Sequence, residues 1–416
     1  MRILASAQAC GFGPVSKLVA VSTALGPGTV DFVGQGVALD FARRNADRFG
    51  RVLFCDTAKP ELVRPHLAET DVVISVMDAD LVFWAVREGR PVLLFDSLLG
   101  FWDNTRGMPG LARAAEVVRT GDLASAQAAY EELGPHERIL LAHLLATRSF
   151  VQNFPGVPAR VAELAAVGAD HVDLCGPIVD VDALHQALSA GPPDDPADLL
   201  VNLGGFKNFY LDYDSHNAYL DLMRRWVLDL AAEADLEHIV VCCGGFAKAE
   251  TVVVNQTRVD FTFLPHDEFL RHLAFTPSYA VPPSLTSLHE AVLTRRMPLL
   301  LPEQHYGHVV NRRMLGDIAV GRHAAAFTDV GPRFEVAEDD FEGTRQLDEL
   351  TREVMRDDQG YQEVRALLDA RLAAYRATTP EQRDAAVDEL GGLLDGIPLE
   401  VALGKLDLAA LGGAPR

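Results

Sequence analysis

Several features that would settle the chemistry of this chain at once are scarce or missing. Cysteine is rare: Cys10, Cys55, Cys175, Cys242 and Cys243 are the five in 416 residues, and no two form a C-x-x-C pair. They sit mostly in or beside apolar runs, which reads as buried thiols in a reducing cytosol rather than a disulfide framework. Basic charge is also short, with 37 Lys and Arg against 59 Asp and Glu and a net charge of −22. That balance argues against a sequence-blind nucleic-acid binder and against an anionic membrane surface, since both need a basic face. A small anionic ligand held by a few local cations stays open. There is no apolar stretch long enough to span a bilayer and no signal-like h-region, so a cytoplasmic protein without an integral membrane segment is expected. G-x-x-x-x-G-K-[ST], G-x-S-x-G and H-E-x-x-H are all absent. The early "GFGPVS" carries Ser16 where a third glycine would complete a dinucleotide fingerprint, which weighs against a nicotinamide or flavin site.

What is present is rhythm. "RILASA", "TVDFVG", "RVLFCD", "DVVISV" and "PVLLFD" are short apolar runs bounded by Gly, Pro and Asp, with helix-like segments between them. This pattern predicts βαβ units and a parallel sheet covered by helices on both faces. Residues 97–148 interrupt it with helical patterning and read as an insertion. "SFVQNFPGV" and "HVDLCGPI" then resume the strands. "SAGPPDDPADLL" at 189–200 is the expected linker. After it "LLVNLGGF", "HIVVCCGGF", "VDFTFLP" and "MPLLLP" restart an α/β pattern. The expected fold class is therefore α/β with two doubly wound Rossmann-like domains. Residues 1–192 form the first, 197–334 the second, and 335–416 a charged helical tail.

The segment richest in chemistry is "PPSLTSLHEAVLTRRMPLLLPEQHYGHVVNRRML", 282–315. Ser284, Thr286 and Ser287 fall in the first turn of a helix, where free N–H groups and hydroxyls can hold a phosphate or diphosphate. Glu290 lies one turn further in, placed to accept from ribose hydroxyls. A buried strand follows and ends at Glu303 and Gln304, and strand C-terminal ends are where doubly wound domains bind ligand. The ordinary reading of any one of these residues is a capped helix with a solvated Glu. The ordered series resembles the donor-binding signature of GT-B glycosyltransferases, with Arg296 where that family usually has Gly. The resemblance implies two domains facing each other across a cleft and a UDP-sugar co-substrate with no other cofactor. It implies no essential metal, and a diphosphate on Ser284, Thr286 and Ser287. Glu290 would then hold the ribose, and Glu303 and Gln304 the sugar hydroxyls. The glycine turn "NLGGFKN" would face the donor phosphates, making Gly205, Lys207 and Asn208 donor contacts, with Lys248 of "CCGGFAKAE" a weaker one. Phe263 and Leu264 would lie by the nucleobase.

In the same family the first loop faces the acceptor. Here that loop is Gly11, Phe12, Gly13, Pro14, Ser16 and Lys17, and Pro14 stands where many inverting members carry a His base. Either another residue supplies the base or the acceptor needs little deprotonation. Asp96, at the end of "PVLLFD", and Asp103, in "GFWDN", are the replacement candidates; helix capping is the ordinary reading of Asp96. His143 and His216 read as structural or solvated. "DAD" at 78–80 reads as a helix cap, and "DYD" at 212–214 is equally ambiguous. More narrowly, "GPVSKL" without the His is similar to cytosylglucuronate-synthase-like enzymes of nucleoside-antibiotic pathways. That likeness implies a heterocyclic nitrogen acceptor such as cytosine, and UDP-glucuronate as donor with Lys17, Arg312 and Arg313 toward its carboxylate. Two other classes stay in view. One is a nucleotide-sugar 2-epimerase on the same scaffold, and the other a catalytically silent binding or partner protein, for which Pro14 is the best argument.

Overall fold

The computed structural model describes residues 1–26, 28–204, 218–243 and 249–412. The chain divides into two compact units, one of residues 1–180 with 393–416, the other of residues 181–392. In the first, strands β1 (Ile3–Ala7), β2 (Val30–Gly34), β3 (Val52–Phe54), β4 (Val72–Val76), β5 (Val92–Asp96), β6 (Arg148–Gln152) and β7 (Val172–Cys175) form one sheet. Its order is β3-β2-β1-β4-β5-β6-β7, and every pairing is parallel. β1, β4 and β5 are buried at every position, as continuous apolar runs between two helical layers should be. The expected insertion is helical: Met108–Thr120, Leu123–Glu131 and Pro135–Leu145 carry the chain from β5 to β6.

The second unit holds β8 (Leu199–Asn202), β9 (His238–Cys242), β10 (Glu250–Val254), β11 (Thr257–Thr262), β12 (Ser278–Val281) and β13 (Leu299–Leu300). Their order is β10-β11-β9-β8-β12-β13. All pairings are parallel except the β10–β11 hairpin at the edge. Its two-residue turn has Asn255 at φ 55°, the left-handed conformation such turns require. Both sheets are thus wound in two directions from a central strand, β1 in one and β8 in the other. The strand order reverses between β1 and β4, and between β8 and β12. Ligands of doubly wound sheets sit outside the carboxyl ends of the strands at these two places.

The division of the chain differs from the expected one at both joints. The helix Val181–Ala190, expected in the first domain, packs on the helix His266–Phe275 of the second unit. The expected tail is not a separate body, since 335–392 belong to the second unit and 393–416 to the first. The cause is packing that no local pattern encodes. Tyr375, on the tail helix Asp358–Arg376, is buried behind the second sheet. Its hydroxyl accepts from Tyr279 N (3.2 Å) and donates to Met297 O (2.8 Å).

Candidate functional site

The carboxyl end of β12 carries four of the expected donor residues, Ser284, Thr286, Ser287 and Glu290. After β12 the chain passes Pro282 and Pro283 and enters the nine-residue helix Leu285–Leu293. Ser284 occupies the N-cap in extended conformation, and its side chain caps none of the helix N–H groups. Those N–H groups and the half-buried Ser284 and Thr286 side chains form the start of the helix. Ser287 is buried, and its Oγ accepts from Asn202 Nδ2 (3.3 Å). Asn202 ends β8; its Oδ1 accepts from Gly204 N (3.0 Å), and its Nδ2 donates also to Tyr279 OH (3.4 Å). One side chain therefore ties the loop after β8 to the helix after β12. Asn311 does the same from another direction, donating Nδ2 to Pro283 O (2.8 Å). Gly205, Lys207 and Asn208 lie outside the described residues, as do Asp212, Asp214, His216 and Lys248.

Glu290 is buried one turn into the helix, and its Oε1 accepts from His266 Nε2 (2.9 Å). His266 opens the helix that follows β11, just past the half-buried Phe263 and Leu264. Sequence reading missed His266, although its place directly after "FLP" in an expected donor segment was a signal. Glu303 departs from expectation. It is 2% exposed, its Oε1 is paired with the Arg312 guanidinium, and its Oε2 accepts from Phe327 N (3.1 Å). A carboxylate held by a cation and a backbone N–H braces the loop after β13 and is not presented to a sugar hydroxyl. Gln304 is buried beside it, its backbone N–H directed at His308 Nδ1 (3.4 Å).

The loop expected on the acceptor side keeps its glycine logic. Gly11 precedes the helix Phe12–Leu25 at φ 147°, a conformation that favours glycine. Pro14 sits in the first helical turn, where its missing N–H costs little. The polar residues of the loop turn inward. Ser16 Oγ donates to Gly13 O (2.9 Å), and Phe12 packs its ring on Phe41 at 5.1 Å. Lys17 is 1% exposed, so its ammonium is interior and not offered to a bound carboxylate. Arg313 pairs with Glu338 (2.9 Å).

Asp96 also needs correction. It is wholly buried, and both oxygens are engaged. Oδ1 accepts from Leu98 N (2.6 Å), while Oδ2 accepts from Trp102 Nε1 (2.6 Å) and His143 Nε2 (2.8 Å). His143 Nδ1 is in turn 2.6 Å from Ser149 Oγ. This closed network anchors the first turn of the insertion and leaves no surface for a substrate proton. His143 is structural, as its context suggested. Asp103 is the opposite case, its side chain 70% exposed and 3.6 Å from His136 Nδ1. Asp78 caps the helix Ala79–Arg87 through Leu81 N (3.1 Å), as the sequence indicated. Among the described residues, no group of three or more His, Cys, Asp or Glu stands together as a metal site. Nor is any described helix long and apolar enough to cross a membrane.

No family model and no curated protein matches the chain. Solved structures resemble it over nearly its whole length. One is LpCGTa, solved in complex with UDP: 15% identity, 95% of this chain and 99% of that one, TM-score 0.48. Another is the glycosyltransferase SnogD from Streptomyces nogalater: 15% identity, 99% of each chain, TM-score 0.46. A third is UGT2 of Phytolacca americana with UDP-2fluoro-glucose and pterostilbene: 12% identity, 94% and 99% coverage, TM-score 0.46. At these scores the chemistry rests on the residues described above.

Proposed function

We propose that the chain is a metal-independent, inverting glycosyltransferase of the GT-B kind, moving a sugar from a UDP-sugar to a small-molecule acceptor. One observation carries the reading: the ordered donor signature of 282–311 lies at the strand-order reversal of the second sheet. Ser284 and Thr286 stand there at a helix N-terminus, Ser287 is tied to the loop after β8, and Glu290 lies one turn in. A helix N-terminus at that position suits a diphosphate. As the bond from the anomeric carbon to the diphosphate breaks, negative charge grows on the leaving oxygen. Fixed N–H groups stabilise that charge more in the transition state than in the ground state.

For the acceptor, Pro14 favours a group needing modest help to lose its proton, such as a pyrimidine nitrogen. UDP-glucuronate in particular loses support. Of the three cations considered for its carboxylate, Lys17 is buried, Arg312 is bound to Glu303 and Arg313 to Glu338.

A thermal-shift panel tests the reading. UDP, UDP-glucose and UDP-glucuronate should each raise Tm, by the equivalent of about 2.7 kcal/mol at a hundredfold excess over Kd, while NAD should not. No shift with any uridine nucleotide would sink the proposal. Binding of UDP without release of UDP from a UDP-sugar, whatever acceptor is added, would instead favour the silent binding protein.

A further inference from the structure

Asp78, Asp96, Glu137 and Glu303 are buried carboxylates with both oxygens engaged. Asp78 accepts from Leu81 N and Thr57 Oγ1 on Oδ1 (3.1 and 3.2 Å) and from Ser6 Oγ and Thr57 Oγ1 on Oδ2 (2.6 and 2.9 Å). Glu137 accepts from Thr105 Oγ1 and Arg106 N on Oε1 (2.8 and 3.0 Å) and from Gly134 N on Oε2 (3.4 Å). Asp96 and Glu303 are closed by their own donors. Glu290 departs from this pattern. It is 6% exposed and its Oε1 accepts from His266 Nε2 (2.9 Å), yet among the described residues no donor stands on Oε2.

A carboxylate only accepts, and it has roughly four acceptor positions. His266 Nε2 therefore carries the proton of their shared hydrogen bond, and the described fold supplies none to Oε2. A buried acceptor without a donor is costly, so it is satisfied by water or by a ligand. Its surroundings point to a ligand. Glu290 lies one turn into the helix that starts at the strand-order reversal of the second sheet, where the Ser284 side chain caps no N–H group. His266 is held from three sides. Pro265 precedes it with φ −51°, the buried Phe269 ring lies nearly parallel to the imidazole (13°, centroids 6.4 Å apart), and Glu290 accepts its N–H. A pair serving only to brace the helix His266–Phe275 against the helix Leu285–Leu293 would gain from closing Oε2 as well, as the other four carboxylates do.

Resting on the glycosyltransferase reading, we infer that His266 is a positioning residue that makes the nucleotide site select ribonucleotides over deoxyribonucleotides. It holds Glu290 by Oε1 and leaves Oε2 to accept from a ribose hydroxyl. The hydroxyl donates, the carboxylate accepts, and no proton is transferred. Glu290 touches the ribose, and His266 acts through Glu290. Fixing the carboxylate in advance removes the entropy cost of ordering a flexible Glu side chain when the nucleotide arrives. A charge-assisted hydrogen bond at a buried carboxylate supplies the discrimination, because a deoxy analogue leaves Oε2 desolvated without a donor.

The test compares wild type, His266→Phe, His266→Gln, Glu290→Ala and the double variant His266→Phe with Glu290→Ala. His266→Phe keeps a ring beside Phe269 and removes the donor, while His266→Gln keeps an N–H donor without the ring. Calorimetry reads Kd for UDP, 2′-deoxy-UDP and 3′-deoxy-UDP. Wild type should bind at least one deoxy analogue about 10- to 100-fold more weakly than UDP. His266→Phe and Glu290→Ala should each bind all three nucleotides alike to within about threefold, the loss falling on UDP. His266→Gln should recover a preference of about tenfold. The double variant should bind UDP within about twofold of Glu290→Ala, since the two residues act as one unit. A brace between helices would instead weaken UDP and both analogues by the same factor. That equal weakening in His266→Phe, an unchanged preference in that variant, no recovery in His266→Gln, or a wild type indifferent to both deoxy analogues overturns the role of His266 and leaves the uridine-nucleotide site standing. Absence of UDP binding by the wild type overturns the glycosyltransferase reading and this assignment together.

Discussion

His308, in the helix Tyr306–Met314, is buried next to His305, the two rings 3.8 Å apart, just past the loop that Glu303 braces. Burial holds His308 well below its ordinary value, and His305 lowers it further. Burial likewise lowers His305 to about 4, against a smaller raising effect of Asp340. Both rings are therefore neutral in the fold at pH 6, while an unfolded chain, titrating near 6.5, binds protons there. The unfolded state binds more protons between about pH 6.5 and pH 4, so stability should fall as pH drops through that window and be whole above it. Denaturation midpoints measured from pH 7.5 to 4.5 should show the decline, and His308→Gln should flatten it. A midpoint as high at pH 5 as at pH 7, or a slope unchanged in the variant, would count against this origin. The same residues show what a sequence can yield at this scale. The glycine loop, Glu290 and the ordered serines were legible, because each depends on a local helix start or turn. Partners were not. Asp96 meets His143 from 47 positions away and Asp78 meets Ser6 from 72. Such pairings decide how a carboxylate is held, and no spacing rule encodes them.

Elements were easier to read than partners, with one omission. Apolar strands between helices gave the parallel strands of both sheets directly. The β10–β11 hairpin was only half seen, as "VDFTFLP". β10 is an edge strand with little buried surface, so it lacks an apolar run, though Asn255 between two β-branched stretches is a hairpin signal. The tail helices were legible as helices from their charge and spacing. Their packing was not, and Tyr375 carries much of it. Its hydroxyl completes the hydrogen bonds of Tyr279 N at β12 and Met297 O ahead of β13, the strands that precede and follow the helix Leu285–Leu293. Tyr375→Phe keeps the ring and strands both backbone groups in the core, at a cost of about 1–3 kcal/mol for each buried group left unsatisfied. Urea unfolding should show a loss of that order, with weaker UDP binding following from a loosened β12. A variant as stable as wild type would mean that other groups replace the hydroxyl.

For the whole molecule, the informative stretch is the last one, because 393–416 leave the second unit and complete the first. Ile397 bridges Cys175 in parallel, and Gly176 N donates to Ile397 O (2.9 Å), so the chain end covers the open edge of β7. The approach is close: a Cβ on Gly396 would lie 2.5 Å from the Cys175 carbonyl carbon. Leu399 and Leu403 are buried just beyond, in a helix that packs on Phe12–Leu25. Burial of each leucine contributes about 1.5–3 kcal/mol, so the terminal segment supplies a substantial share of the first unit's stability. The second unit holds its own sheet and the proposed donor site. Calorimetry should therefore resolve two transitions, and UDP should raise one of them. Truncation after Gly392 should lower the other by several degrees and leave the UDP-dependent shift in place. If truncation lowered both transitions equally, or abolished the response to UDP, the two units would not be independent in stability. The loop after β1 would then share the fate of the helix after β12.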